Sequence, residues 1–182
     1  AAFAEDTDDV TATSVLANMR AMDEAVRVSV QARPLRAASL KRLHRILFSP
    51  YPALGGGRLR VEQNWIGGAA SSPRDAEFVP PPPNRVPGLI DDLCTFLERD
   101  DLPAVVQAAV AHAQFETIHP FADGNGRVGR CLIHVVLRRR GLAPRYVPPV
   151  SLVLATDAKA YIGGLTDFRA GRVADWCGTF AA

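Results

Sequence analysis

Residues 119–130 read His119-Pro-Phe-Ala-Asp-Gly-Asn-Gly-Arg-Val-Gly-Arg130. Before them, from Pro103 to about Ile118, Val106, Val110, Ala113 and Phe115 mark an apolar helix. After them, from Gly126 to about Arg140, Val128, Leu132, Val135, Val136 and Leu137 mark another. The quoted stretch is therefore a polar, glycine-bearing link between two helices, which points to a mainly helical fold. Pro103 suits the first turn of the first helix. The second is closed by Arg138-Arg139-Arg140, which complement the negative end of the dipole, and by Gly141 just past the last turn.

The flanking sequence extends this reading. Thr11 to about Val30 carries Val15, Leu16, Met19, Met22 and Val26 at three- and four-residue spacing and is predicted to form a long amphipathic helix. Residues 1–10 are acidic and are assigned to a flexible N-terminal segment, with the domain itself over 11–182. A second helix is expected from Ala37 to Phe48, before Pro50 and Pro52. Gly55-Gly56-Gly57 breaks the pattern. Leu59, Val61 and Trp65 then lie in an extended stretch, Gly67-Gly68 begins a bend, and Glu77 to Val79 is extended again before the stiff run Pro80 to Pro83. This predicts a small β-hairpin over about 58–80. Further helices are expected over Val86–Arg99, Asp157–Arg169 and Val173–Phe180.

With 182 residues, 48% of them hydrophobic and 22% charged, the chain suits one globular domain. A net charge of only +2 argues against a nucleic-acid-coating protein. Lys41 and Lys159 are the only lysines; the arginine and alanine bias reflects a GC-rich coding sequence rather than an arginine-built surface. Cys94, Cys131 and Cys177 are odd in number and widely spaced, fitting small apolar residues in a reducing compartment. No stretch suits a bilayer span or a signal peptide, so a bacterial cytoplasmic location is expected. The first residue, Ala1, suggests a fragment or a processed product.

The link itself carries chemistry. It ends at a helix N-terminus, whose unpaired N–H groups and partial positive charge receive phosphate. Gly124 and Gly126 allow close approach to the backbone, and Arg127 and Arg130, three apart, can clamp phosphate oxygens from one face. Asp123 suits magnesium, which commonly binds one or two carboxylates together with substrate phosphates. His119 is the nearby group able to accept a proton at neutral pH. Each feature alone has a plainer meaning: a turn, a hydrogen-bonding histidine, a solvated arginine face. Their concurrence within one short stretch points to phosphoryl or nucleotidyl transfer. An EF-hand is set aside because the later glutamate is missing. His44, His112 and His134 lie within predicted helices without such company and are read as structural.

The stretch matches His-x-Phe-x-(Asp/Glu)-Gly-Asn-Gly-Arg-x-x-Arg at every fixed position, and on these residues the chain resembles the Fic (filamentation induced by cAMP) domain family. Gln63-Asn64-Trp65-Ile66-Gly67-Gly68 and Phe78-Val79-Pro80-Pro81-Pro82 look like the flap of bacterial members, and Ala17 to Met22 like an early core helix, so the likeness runs from about Thr11 to Phe180. The resemblance implies a single helical Fic-type domain with a β-hairpin flap. It also implies a protein adenylyltransferase that moves AMP from ATP to a Tyr, Thr or Ser hydroxyl of a target protein, with magnesium. By that resemblance His119 would be the general base and Phe121 a structural anchor. Asp123 would hold the metal, Gly124, Asn125 and Gly126 would cradle the phosphates, and Arg127 and Arg130 would neutralise the β- and γ-phosphates. The flap, including Asn64, Trp65, Ile66, Gly67 and Gly68, would dock the target by main-chain pairing. A plainer reading of Trp65 is a residue covering the core.

Many family members carry an inhibitory (Ser/Thr)-x-x-x-Glu-(Gly/Asn) helix. No glutamate here is followed by Gly or Asn, so this chain is expected to lack that helix and to be relieved of inhibition. The rival readings are removal of AMP, transfer of another phosphate-containing group, and a non-catalytic peptide-binding module. The target could include the chain itself, neither nucleic acid nor membrane is an expected partner, and oligomers occur in the family.

Overall fold

The computed structural model describes residues 2–31, 34–69, 72–145 and 148–182, and of 2–11 the backbone alone. Ala1, in the segment assigned as flexible, and Ala70 and Ser71, in the expected flap bend, lie outside the described residues. The helices are α1 (Ala2–Ser29), α2 (Ala37–Leu47), α3 (Val86–Phe96), α4 (Ala104–Ile118), α5 (Asn125–Arg139), α6 (Val150–Thr156), α7 (Ala158–Arg169) and α8 (Val173–Ala181). The mainly helical fold is thus as the sequence predicts. Among the described residues no helix is long and apolar enough to cross a membrane.

The centre of the fold is the antiparallel pair formed by α4 and α5. Both are buried almost all round: Leu132, Ile133, Val135, Val136 and Leu137 on α5, and Ala108, Ala109, Ala111, Ala113, Phe115 and Ile118 on α4. A helix apolar on every side belongs inside a domain. On one flank α1, α2 and α3 complete the larger core with Leu40, Leu43, Leu47, Ile90 and Leu93. On the other, α7 and α8 close a smaller cluster around Trp176, which is fully buried and donates its indole N–H to the Ala109 carbonyl at 2.8 Å.

Four expectations are corrected. First, α1 begins at Ala2 rather than near Thr11; no glycine or proline interrupts 2–29. Second, its buried seam is Ala17, Ala21, Ala25 and Val28, whereas Val15, Leu16 and Met19 are exposed. Small residues at four-residue spacing let α1 lie close upon α5, and a pattern search weighted to large side chains misses such a seam. Third, Pro103 stands at the N-cap, just outside α4.

Fourth, the β-hairpin shrinks to one antiparallel bridge between Ile66 and Phe78. On the exit arm Pro80–Pro83 have no N–H to donate to a ladder. On the entry arm the backbone turns toward the link between α4 and α5, with the Arg60 N–H on the Pro120 carbonyl at 2.9 Å. α6 is an addition that the sequence reading lacks; it is short and follows Pro148-Pro149. Cys94 and Cys131 are buried free thiols and Cys177 is a half-buried one, in keeping with apolar packing roles.

Candidate active site

The helix α4 stops because His119 turns left-handed, at φ 48 and ψ 61, while its N–H still bonds the Phe115 carbonyl at 2.9 Å. His119 is the only non-glycine with positive φ among the described residues. Two residues on, Phe121 is fully buried, stacked on His44 with ring centroids 3.9 Å apart. Asn125, the first residue of α5, grips that same residue: its Oδ1 accepts the Phe121 N–H and its Nδ2 donates to the Phe121 carbonyl, both at 2.9 Å. The Asn125 side chain therefore staples the loop, and only its backbone N–H remains for a phosphate cradle.

Gly124 makes the sharp entry into α5. Its φ is +75, and a Cβ there would lie 2.5 Å from the Phe48 ring, so no other residue fits without displacement. The first turn of α5 has no side-chain cap, which leaves its N–H groups open. The Asp123 carboxylate sits beside them; Oδ1 accepts the Gly124 N–H at 2.5 Å, and Oδ2 stands a loose 3.9 Å from the Arg127 guanidinium. Arg127 lies over the Phe48 ring, 5.1 Å from its centroid, on the α2 side. Arg130 curls back over Gly126, with Nη1 3.2 Å from where a Cβ of that glycine would be, and its charge is felt at His112 and Glu116 of α4. The two guanidinia thus flank the open turn. Among the described residues no carboxylate forms an ion pair with Arg130.

The His119 ring is largely enclosed. Burial pushes its pKa down to about 4, the Glu116 carbonyl pulls the other way, and the charges of Arg60 and Arg169 depress it further. It is therefore neutral at physiological pH, with Nδ1 buried and making no hydrogen bond of good geometry. One turn earlier, Glu116 is also buried, with Oε1 unpartnered; burial raises it to about 7 against the pull of Arg130 and Arg169.

Three residues that the sequence reading passed over converge on this loop. His44, read as structural, accepts the Gly57 N–H on Nδ1 at 2.7 Å, which fixes the proton on Nε2, and Nε2 then donates to the Asp123 carbonyl at 3.0 Å. Burial lowers its pKa, consistent with that neutral tautomer. Arg60 is 6% exposed and donates Nε to the His119 carbonyl at 2.8 Å, Nη2 to Ile118 at 3.4 Å and to Pro81, and Nη1 to Glu62 at 3.2 Å. Arg169 at the end of α7 places its guanidinium 3.9 Å from the centroid of the Phe78 ring. His44 shares the buried face of α2 with Leu40, Leu43 and Leu47, so its inward direction was readable from spacing. Nothing local in the sequence distinguishes Arg60 or Arg169.

Of the flap residues, Asn64 reaches the loop, its Nδ2 donating to the Phe121 carbonyl at 3.1 Å. Ile66 makes the single bridge, Gly67 and Gly68 turn the chain with φ of 73 and 71, and Trp65 gives its indole N–H to the Ala69 carbonyl within the flap. Trp65 is half-buried within the flap. Beside Asp123, a cavity of about 590 Å³ opens between the flap's entry arm, the end of α2 and the loop, with Phe48, Leu54, Leu59 and Val61 among its walls.

The chain is similar to known proteins in sequence and in fold. The Fic/DOC family profile matches residues 34–137. A probable protein adenylyltransferase of Aquifex aeolicus is 47% identical over 68 residues, 37% of this chain and 21% of that protein. Protein adenylyltransferase fic-1 of Caenorhabditis elegans is 29% identical over 134 residues, 70% of this chain and 24% of that protein. The chain thus spans less than a third of the curated relatives it matches. A Fic family protein from Desulfovibrio desulfuricans G20 superposes with a TM-score of 0.70 at 26% identity, covering 90% of this chain and 50% of that one. A Fic-domain signalling protein from Bacteroides thetaiotaomicron shares the fold, with a TM-score of 0.73 at 21% identity over 92% of this chain and 65% of its own.

Proposed function

Because this chain belongs to the Fic/DOC family, we propose that it is a protein adenylyltransferase, moving AMP from ATP to a hydroxyl side chain of a target protein. The observation that carries the reading is one short loop. It joins a buried neutral histidine, an exposed carboxylate and an uncapped helix N-terminus flanked by two arginines.

In this reading the triphosphate lies across the first turn of α5, where the N–H groups and the positive end of the dipole face it. Arg127 and Arg130 take up the charge of the β- and γ-phosphates. Asp123 would hold magnesium: Oδ2 has only the loose contact with Arg127, and a single carboxylate beside phosphates fits that ion's habits. When bound, magnesium neutralises phosphate charge and assists the departure of pyrophosphate. His119 accepts the proton of the target hydroxyl, the oxygen attacks the α-phosphorus, and the bond between that phosphorus and the oxygen bridging to the β-phosphate breaks. A pKa near 4 leaves His119 unprotonated, and the negative charge of bound triphosphate raises its basicity when it is needed. The protein contributes positioning and charge stabilisation. The flap docks the target.

The test is incubation with magnesium and α-labelled ATP, alone and with cell lysate, beside a His119→Ala variant. Label on protein that disappears in the variant is expected. Equal labelling by the variant would remove His119 as the base, and no label despite magnesium-dependent ATP binding would sink the transfer reading.

A further inference from the structure

We propose that Arg60 is a positioning residue for the transfer, a strut that holds the His119 peptide in its left-handed conformation by tying it to both arms of the flap. The inference rests on the reading of His119 as the base. Its starting point is strain. A left-handed conformation in a side-chain-bearing residue is strained, and it persists only where the surroundings over-determine it. His119 is the one such residue among those described.

A histidine acting as base is commonly oriented by a group bonded to its other nitrogen. Here the His119 ring faces a main-chain group of its own helix, the Glu116 carbonyl, without a hydrogen bond of good geometry at Nδ1, so the backbone beneath it sets the place of the ring. That backbone is held by Arg60, through the carbonyl of His119 at 2.8 Å and of Ile118 at 3.4 Å. The Arg60 N–H adds the Pro120 carbonyl at 2.9 Å, so three consecutive carbonyls of the loop end on one residue. The same guanidinium grips Glu62 on the entry arm and Pro81 on the exit arm.

Burying a guanidinium is expensive, and burial lowers the Arg60 pKa. Its hydrogen-bond partners are carbonyl oxygens, not a carboxylate. An apolar side chain would fill the space at less cost. What only arginine supplies is a flat fork of five donors that can reach several carbonyls in fixed directions, and a lysine ammonium cannot reproduce it. The final carbonyls of α4 are also the ones that the helix cannot satisfy itself, at its negative end.

The decisive variant is Arg60→Lys, which keeps the charge and loses the fork; Arg60→Gln is its neutral companion. Self-labelling with α-labelled ATP gives the rate at saturation and the KM for ATP. An NMR titration of the His119 ring gives a readout independent of activity. In Arg60→Lys the saturated rate should fall about 100-fold, the scale of a misplaced catalytic group, while the KM for ATP stays within about threefold. The His119 midpoint should rise from about 4 toward its ordinary value as the ring gains solvent.

Wild-type rate and wild-type midpoint in Arg60→Lys would overturn the proposal. So would equal loss of ATP binding and rate, or a collapsed amide spectrum in both variants, since Arg60 would then be a determinant of the whole fold. A shifted midpoint in Arg60→Lys together with a wild-type chain that labels nothing would uphold the strut and discard the transfer reading.

Discussion

The loop 119–124 and the flap 62–80 face each other across the candidate site and are built on opposite terms. In the loop nearly every carbonyl from 118 to 123 is held: Ile118, His119 and Pro120 by Arg60, Phe121 by Asn64 and Asn125, and Asp123 by His44. The flap has one bridge, a few side-chain bonds, two left-handed glycines and an exit arm of prolines. Both are irregular backbone, so irregularity does not by itself mean softness. Phosphate transfer requires donors fixed in place, since their value lies in not reorganising. A surface that receives another protein's main chain gains from an edge that can adjust to it. The molecule spends its buried polar groups on the first and few on the second.

The contrast is most open to attack at Gly124. Alanine there must adopt φ near +75 and push against Phe48, whose ring is confined by His44 at 4.5 Å and Arg127 at 5.1 Å. The expected result is a loss of transfer rate of about 100-fold or more, with about 2–3 kcal/mol of stability, by displacement of the first turn of α5. Labelling kinetics and denaturant melts measure the two. A variant within threefold of wild type in rate would mean that the loop is not over-determined, and the contrast with the flap would fall.

A second probe asks how much of the rigid side is held by uncharged histidines. Burial lowers the pKa of His44, His112, His119 and His134, the second and third to about 4. The unfolded chain binds protons at these sites from about pH 6.5 downward, while the fold resists. Their stabilisation is full above that pH and is lost as pH falls toward 4. Glu116 runs the other way: raised to about 7, it costs stability above that pH, and the cost is relieved as pH falls toward its ordinary value. His112 and His119 against Glu116 leave a net loss of about 2 kcal/mol between pH 7 and 4.5, read from urea midpoints, and His44 and His134 act in the same direction as the other two histidines. Glu116→Gln removes the opposing relief, so its acid-side loss should be larger than that of wild type. Equal pH profiles would show that Glu116 is ionised alike in both states.

How much of this was legible in the sequence follows from what each part depends on. The helices were readable because α2 to α5 carry large apolar residues at regular spacing, and the site residues 119–130 because they are contiguous. The seam of α1 was misread because Ala17, Ala21 and Ala25 act through closeness of approach, which spacing of large residues does not report. The hairpin was over-read because extended residues predict strand only when their donors find a partner, and Pro80–Pro83 have none to offer. The deepest omissions are Arg60 and Arg169. Arg60 lies 59 residues from the carbonyl it holds, and Arg169 stands 91 positions after Phe78, so only the folded chain brings them to the site.

The smallest effect belongs to the soft side. Phe78 is half-buried, and the Arg169 guanidinium rests on its ring at 3.9 Å, the one tie between the flap's exit and α7 among the aromatic contacts described. A partly exposed cation–π contact is worth about 0.5–1 kcal/mol, so Phe78→Ala should cost about 1 kcal/mol in total and lower Tm by about 2–4 °C. Phe78→Leu sharpens the reading, because leucine keeps apolar bulk and removes the ring face. If the cation–π contact is what anchors the exit arm, leucine should be nearly as costly as alanine. If leucine restores wild-type stability, the arm is held by bulk alone. A cost above about 3 kcal/mol for either variant would place Phe78 in a true core. The flap would then be as firmly built as the loop it faces, and adaptable docking would have to be sought elsewhere on the molecule.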